Sequence, residues 1–269
     1  MAVIMEMALG CGNMKKTIYN NAAPYIGLFL LFMIWYFVCK MEILSPYILP
    51  SPGKVWNSFC EMLWSGDILE DITISFVRVL KGFLISFVMA FVLGMFRFLV
   101  PVSERYYDYI VQFFRNVPPL SMTPLLILWC GIGETTKTVI IVLASFFPMY
   151  LNIVKGFTGC DKKLIEVGAS FGYSKLKQFT QIVMPFASAD ILVGMRTGMG
   201  YSWRAIIGAE MIAASTGLGH MVLFAQEMSR TDKVLVGIFV IGSVGLATDK
   251  LFGLVIRKLI KGNGENGWN

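Results

Sequence analysis

The chain has 269 residues, of which 56% are hydrophobic and 15% charged, and its mean hydropathy is +0.68. Soluble domains carry about 25% charged residues, so a water-soluble globule is excluded and an all-α integral membrane protein is predicted. Scattered cysteines with no Cys-x-x-Cys pair and a lone His220 encode neither a disulfide framework nor a His/Cys metal site, and the net charge of +6 fits positive loops beside membrane spans better than nucleic-acid binding.

Residues 1–20 are expected to form a disordered cytoplasmic segment, with the working start at Met14, where Met14-Lys15-Lys16 precedes an apolar run. A transmembrane domain is predicted over 21–260. Its first span covers 22–38, with Pro24 tolerated in the first turn. No small-x-small cleavage site follows, which argues against a secretory signal; Ser45-Pro46 and Pro50-Ser51-Pro52 open a turn instead. Residues 50–69 read as a loop and an amphipathic helix bearing Val55, Phe59, Met62 and Leu63 at helical spacing. Gly53-Lys54 lacks both the glycine five residues earlier and the following Ser or Thr of a phosphate-binding loop, so any ATPase must be another polypeptide.

The second span, 72–99, carries Arg78 and Lys81 near one end and Arg97 near the other, all three read as interfacial anchors. The third, 109–131, is interrupted by Pro118, Pro119 and Pro124. Lipid offers no substitute for lost backbone hydrogen bonds, so this stretch must face protein or a water-filled cavity, which places Arg115, Pro118 and Pro119 beside a pathway or a dimer seam. The fourth span covers 136–157.

A charged interruption follows, 158–185. Asp161 is positioned to cap a short helix whose Leu164, Val167 or Gly168, and Phe171 share one apolar face. Gly172 ends that helix in the left-handed region. Ser174 caps a second short helix bearing Leu176, Phe179 and Val183, and Pro185 is expected to stop it. An elbow with an exposed apolar face asks for a partner. Read as spacing, Glu166, Gly172, Ile182, Met184 and Pro185 fall where the EAA signature of permease subunits in bacterial ATP-binding-cassette importers has Glu, Gly, Ile, Leu and Pro, and the chain resembles that family. Val167 and Gly168 replace its two alanines and Met184 its leucine; the first two weaken the helix, a mid-helix Gly costing roughly 0.5–1 kcal/mol against Ala.

The fifth span, 188–213, repeats Met195, Met199, Trp203, Ile207 and Met211 every four residues, as either a packing face or a pore lining. Arg204 and Glu210 are each expected to find a partner in another span, because an unpaired charge in lipid is expensive. The Trp203 to Ala209-Glu210 spacing is similar to the family's pattern in this helix, and the Arg115 to Pro119-Leu120 string resembles its nitrate, sulfonate and taurine branch. Gly217-Leu218-Gly219-His220 opens a loop and a short helix through Gln226. A sixth span is placed at 234–256, and 261–269 form a polar cytoplasmic tail. Lys162, Lys163, Lys175, Lys177, Arg257 and Lys258 fall on the elbow's side, which orients the elbow and both termini to the cytoplasm.

The resemblance implies a six-span, type I importer permease fold in the bacterial plasma membrane that homodimerises, with two ATPase subunits gripping the elbows through Leu164, Glu166, Val167, Gly168, Phe171 and Gly172 and an external solute-binding protein. Arg115, Pro118, Pro119, Met195, Met199, Trp203, Arg204, Ile207 and Glu210 would line the path. No cofactor or metal is expected on this chain; ATP and magnesium would sit on the partner. Arg115, Arg196 and Arg204 favour an anion such as a sulfonate, taurine or nitrate, with a thiamine-precursor pyrimidine or riboflavin as the alternative cargo. A rival class is a secondary transporter using Glu210, Asp190 and Asp249 as ion sites; a membrane-embedded enzyme lacks a nucleophile and base constellation.

Overall fold

The computed structural model describes residues 26, 27 and 29–261; the expectations for the 1–20 segment, for Met14 and for the tail beyond Lys261 lie outside them. Among the described residues the chain is helical: α1 (Phe29–Lys40), α2 (Pro52–Trp64), α3 (Asp67–Leu99), α4 (Glu104–Asn116), α5 (Thr123–Cys130), α6 (Glu134–Thr158), α7 (Lys162–Ser170), α8 (Lys175–Gln178), α9 (Met184–Ala213), α10 (Leu218–Glu227) and α11 (Thr231–Lys261).

Helix α6 is the centre, packed along α3 on one side and α9 on the other. In lipid, helices associate by close van der Waals approach, which small residues permit. On α3, Gly82 and Gly94 meet Ile141 and Ile153, where an added Cβ would lie 2.6 and 2.7 Å from the isoleucine methyls. On α9, Gly194 and Gly198 sit against Asn152 and Met149, at 2.8 and 2.5 Å on the same measure. This Gly-x-x-x-Gly pair was readable in the sequence and belongs to the core rather than to a site. Helix α2 starts at Pro52 with Ser51 accepting the Lys54 N–H, and buries Val55, Ser58 and Met62; Ser58 Oγ donates to Asp232 of α11 at 2.5 Å. The Trp35 indole of α1 donates to the Pro50 carbonyl at 3.1 Å and stacks on Phe239 of α11.

Three helices, α3, α6 and α11, are long and apolar enough to cross a membrane, and a fourth crossing results if the helical run Lys175–Ala213 and α10, bent by 46° at their break, count as one. Six long spans are not found among the described residues. The expected third span is divided by its prolines: α4 ends at Asn116, Pro119–Met122 form a 3-10 turn, and α5 is only Thr123–Cys130. Pro118 and Pro119 can supply no N–H to continue α4, so the axis breaks there. The expected first span, 22–38, lies partly outside the described residues; its described part belongs to α1, Phe29–Lys40.

Pro185 behaves contrary to expectation. Helix continues from Lys175 through Ala213 because a π-turn at Phe179–Val183 re-registers the backbone, and Pro185 lands in the first turn of α9, where its missing N–H is not needed.

Candidate functional site

The elbow is built from local signals. Asp161 Oδ1 accepts the Lys163 N–H at 2.9 Å and starts α7; Ser174 Oγ accepts from Lys177 at 3.4 Å and starts α8. Between them Gly172 adopts φ +74°, while the Tyr173 N–H reaches back to the Gly168 carbonyl and the Gly172 N–H to Ala169. That pair of bonds is a Schellman closure, which needs a left-handed residue at Gly172. Gly168 is buried, and a Cβ there would stand 2.5 Å from Ile182 Cδ1. Two positions of the signature thus touch, and glycine lets α7 lie against the π-turn. Leu164, Val167, Phe171 and Leu176 remain 48, 52, 77 and 73% exposed, and Glu166 is exposed beside them with no ion-pair partner among the described residues. Behind the elbow, Phe179 of the π-turn packs in a tilted and edge-on cluster with Phe98 of α3 and Phe157 of α6, centroids 5.4–5.9 Å apart.

At the opposite end of α6 a buried charge cluster joins four helices. Arg78 of α3 donates Nη1 to Glu210 at 2.8 Å and to the Thr216 carbonyl at 2.7 Å, and Nη2 to Glu134 of α6 at 2.7 Å. Lys137 Nζ donates to the same Glu134 at 2.6 Å. Glu210 is wholly buried and also accepts from Ser75 Oγ at 2.8 Å and from the Gly219 N–H at 3.0 Å. The carboxylate lies at the N-terminus of α10, where orphan N–H groups and the helix dipole favour a negative charge. Leu218 N–H donates to Ser75 Oγ, and Gly217 N–H to Asp71. A side chain at Gly217, which has φ +105°, would meet the Glu210 carboxylate. Arg78 is therefore no interfacial anchor. Arg97 does sit near an end, paired with Glu104 and, at 3.8 Å, with Asp108.

A third feature is a cleft of about 550 Å³ lined by residues of α4, the 3-10 turn, α6 and α9. Arg115, Pro119 and Leu120 form one wall, Leu143, Phe147 and Leu151 another, Tyr201 and Arg204 a third. Arg204 lies over the Tyr201 ring, its Cζ 5.4 Å from the centroid.

The predicted site residues thus divide. Leu164, Glu166, Val167, Phe171 and Gly172 come together with Gly168 on the elbow; Arg115, Pro119 and Arg204 come together at the cleft, with Pro118 exposed next to them. Of the face read as packing or pore lining, Met199 and Trp203 are packed: they are 3 and 6% exposed, the Trp203 indole donates to the Ile241 carbonyl of α11 at 3.1 Å, and partly buried Met195 and Ile207 pack on the same core. Glu210 finds its partner in another helix, as expected, but is sealed by it, whereas Arg204 finds no carboxylate among the described residues. Arg196 leaves the list of anion candidates, because Asp249 Oδ1 and Oδ2 already accept its Nε at 2.7 Å and Nη2 at 2.6 Å. Sequence reasoning missed Ser75, Glu134 and Asp71 and took Arg78 for an anchor, because the contacts that join these helices lie far apart in the chain.

Residues 82–261 match the family described as binding-protein-dependent transport system inner membrane component. The chain belongs to this permease family. It is 35% identical over 228 residues to a Bacillus subtilis (strain 168) chain named as an aliphatic sulfonates transport permease protein, SsuC, covering 85% of this chain and 83% of the relative. To the taurine transport system permease protein TauC of Escherichia coli (strain K12) it is 30% identical over 241 residues, 88% of each chain. In three dimensions it superimposes on a chain of a crystal structure described as an amino acid ABC transporter with histidines, with a TM-score of 0.61 at 15% identity, over 74% of this permease and 98% of that chain; at this identity the likeness speaks for the fold alone. The permease is accordingly a multi-pass inner-membrane component of an ATP-binding-cassette importer, a family that works with ATPase and binding-protein partners.

Proposed function

We propose that two copies of this permease form the translocation pathway for an organosulfonate, taurine or nitrate-like anion, delivered by an external binding protein and driven by two ATPase subunits that hold the elbows. The observation that carries this reading is the elbow: a rigidly closed turn, set at the sequence positions of a coupling signature, that leaves Leu164, Val167, Phe171 and Leu176 in solvent. Four exposed large apolar side chains on a charged hairpin are what a docking surface requires. The elbow and both termini lie in the cytoplasm, ATP and magnesium bind the partner and not this chain, and no nucleic acid is involved.

The mechanism is alternating access. Closure of the ATPase pair displaces each elbow, and the helices exchange an inward-facing for an outward-facing arrangement; the partner drives the change only through contacts that differ between the two states. Glu166 and Phe171 make the coupling contacts and Gly172 keeps the turn. Sulfonate and taurine cargo follows the names of the two relatives reported above, neither of which is named for a pyrimidine or riboflavin.

The secondary-transporter reading loses its ion sites. Its three candidate carboxylates are all engaged: Glu210 by Arg78, Asp190 by Lys155 at 2.8 Å, Asp249 by Arg196 at 2.6 Å. The deciding experiment purifies the tagged chain in mild detergent from its own membranes. An ATPase subunit should co-purify, be lost when Glu166 and Phe171 are replaced, and support ATP-dependent uptake in liposomes; a lone chain that transports without ATP would refute the reading.

A further inference from the structure

Arg78, Arg97 and Arg196 each hold a carboxylate. Arg115 and Arg204 hold none among the described residues, and both line the same cleft of about 550 Å³. Arg204 lies well inside the long apolar helix α9 (Met184–Ala213), where a bare guanidinium facing lipid is costly and a charge ordinarily faces the bundle interior or a water-filled cavity. Tyr201, one turn earlier, stacks under it at 5.4 Å and holds the guanidinium plane without neutralising it. The same cleft is also lined by apolar side chains of α6: Leu143, Phe147 and Leu151. Two cations without counter-ions beside a greasy wall describe an amphiphilic anion.

We infer that this cleft is a transient subsite for an alkanesulfonate in transit, with Arg115 and Arg204 receiving the sulfonate oxygens and Leu143, Phe147 and Leu151 receiving the alkyl tail. The inference rests on the importer reading and makes the permease itself, not only its binding protein, selective. A guanidinium presents several N–H donors in a fixed fork that matches a group of equivalent anionic oxygens. A small, strongly hydrated inorganic anion would gain nothing from the apolar wall. The volume suits a chain of a few carbons.

The test uses the complete importer, permease with its co-purified ATPase and binding protein, in phosphatidylcholine liposomes. Butanesulfonate and methanesulfonate uptake are measured per ATP hydrolysed with binding protein in excess. Loss of one charge-assisted contact predicts a fall of about tenfold in butanesulfonate delivered per ATP in Arg204→Gln and in Arg115→Gln, with recovery towards wild type in Arg204→Lys. Leu151→Asn should lower butanesulfonate more than methanesulfonate, which a merely structural role would not do. The ratio counts only assembled, hydrolysing complexes, and if Arg204→Gln fails to assemble, Arg115→Gln decides. Wild-type ratios in the Gln variants would overturn the subsite while leaving the importer intact. A defect seen only in cardiolipin-containing liposomes would assign the arginines to lipid headgroups and overturn it as well. ATP hydrolysis by the wild type without uptake of any sulfonate would instead refute the substrate class of the importer reading.

Discussion

Removing the Glu210 carboxylate strands three donors at once. Arg78 Nη1 at 2.8 Å, Ser75 Oγ at 2.8 Å and the Gly219 N–H at 3.0 Å all end on this side chain, which has no solvent exposure. Breaking a buried ion pair from one side costs about 3–5 kcal/mol when the remaining charge is left without compensation; Arg78 keeps Glu134 and the Thr216 carbonyl, so Glu210→Ala falls at the lower end, about 3 kcal/mol. Glu134 serves as the control through Glu134→Gln, since it meets the same guanidinium with a side chain 58% exposed and the amide oxygen still accepts from Arg78 or from Lys137, whose own side chain is only 4% exposed. In Glu134→Gln water supplies the remaining partner, and the loss is about 1 kcal/mol or less. The expected separation between Glu210→Ala and Glu134→Gln is therefore about 2 kcal/mol. It is measured by unfolding the purified permease with dodecyl sulfate in mixed micelles, following tryptophan fluorescence. Arg78→Met combined with Glu210→Met should cost clearly less than the two single changes added together, as an apolar pair strands no charge. Equal losses for the two glutamates, or strict additivity of the methionine pair, would refute the buried clamp.

Gly172→Val places a β-branched residue at φ +74°, a strain of about 1–3 kcal/mol, and should uncouple ATP hydrolysis from uptake with membrane insertion intact; wild-type uptake in this variant would contradict the role given to the turn. Phe171→Ser and Leu176→Ser, at side chains 77 and 73% exposed, should leave micelle stability within about 0.5 kcal/mol while weakening ATPase co-purification by at least about tenfold for each lost apolar anchor. Gly168→Ala sets a helix gain of about 1 kcal/mol against displacement of the flexible Ile182 Cδ1 at 2.5 Å, so near-neutral stability is expected, and a loss as large as that of Glu210→Ala would show the α7 contact to be rigid. Maleimide should modify exposed Cys130 well before Cys160, which is 6% exposed and whose thiol burial pushes above its ordinary range; raising the pH should narrow that gap.

What the sequence disclosed was local. Asp161, Gly172 and Ser174 act within three or four residues of themselves, and caps and a left-handed closure follow from side-chain chemistry at that range. Pro185 was misjudged for the same reason: alone it reads as a stop, but the π-turn before it shifts the register so that its missing N–H falls where none is required. The clamp was illegible because the contact from Arg78 to Glu210 spans 132 residues, and an arginine near a helix end looks the same whether it anchors at the interface or ties helices together. Met199 and Trp203 show the limit of periodicity, which finds a face without saying whether protein or water covers it. The third span failed as a long helix at the very prolines that had marked it as unusual.

The elbow and the clamp are two ends of one mechanical path. Helix runs without interruption from Lys175 in the elbow to Ala213 beside the clamp, so a displacement of α8 moves α9 as a body rather than bending it midway. Near the elbow the path is gripped by Phe98 and Phe157 around Phe179; at its far end it is gripped by Arg78 and Ser75 through Glu210. Aromatic packing tolerates sliding, whereas a buried carboxylate with three donors does not, because every partial displacement leaves a donor unpaired. Motion that begins at the elbow should thus rotate α9 about a fixed point near Glu210, carrying Arg204, six residues closer to the elbow, through an arc. If that holds, a cysteine cross-link tying α9 to α3 beside the clamp should leave coupling unharmed, whereas one tying Phe179 to Phe98 should abolish it; abolition by both would place the pivot elsewhere.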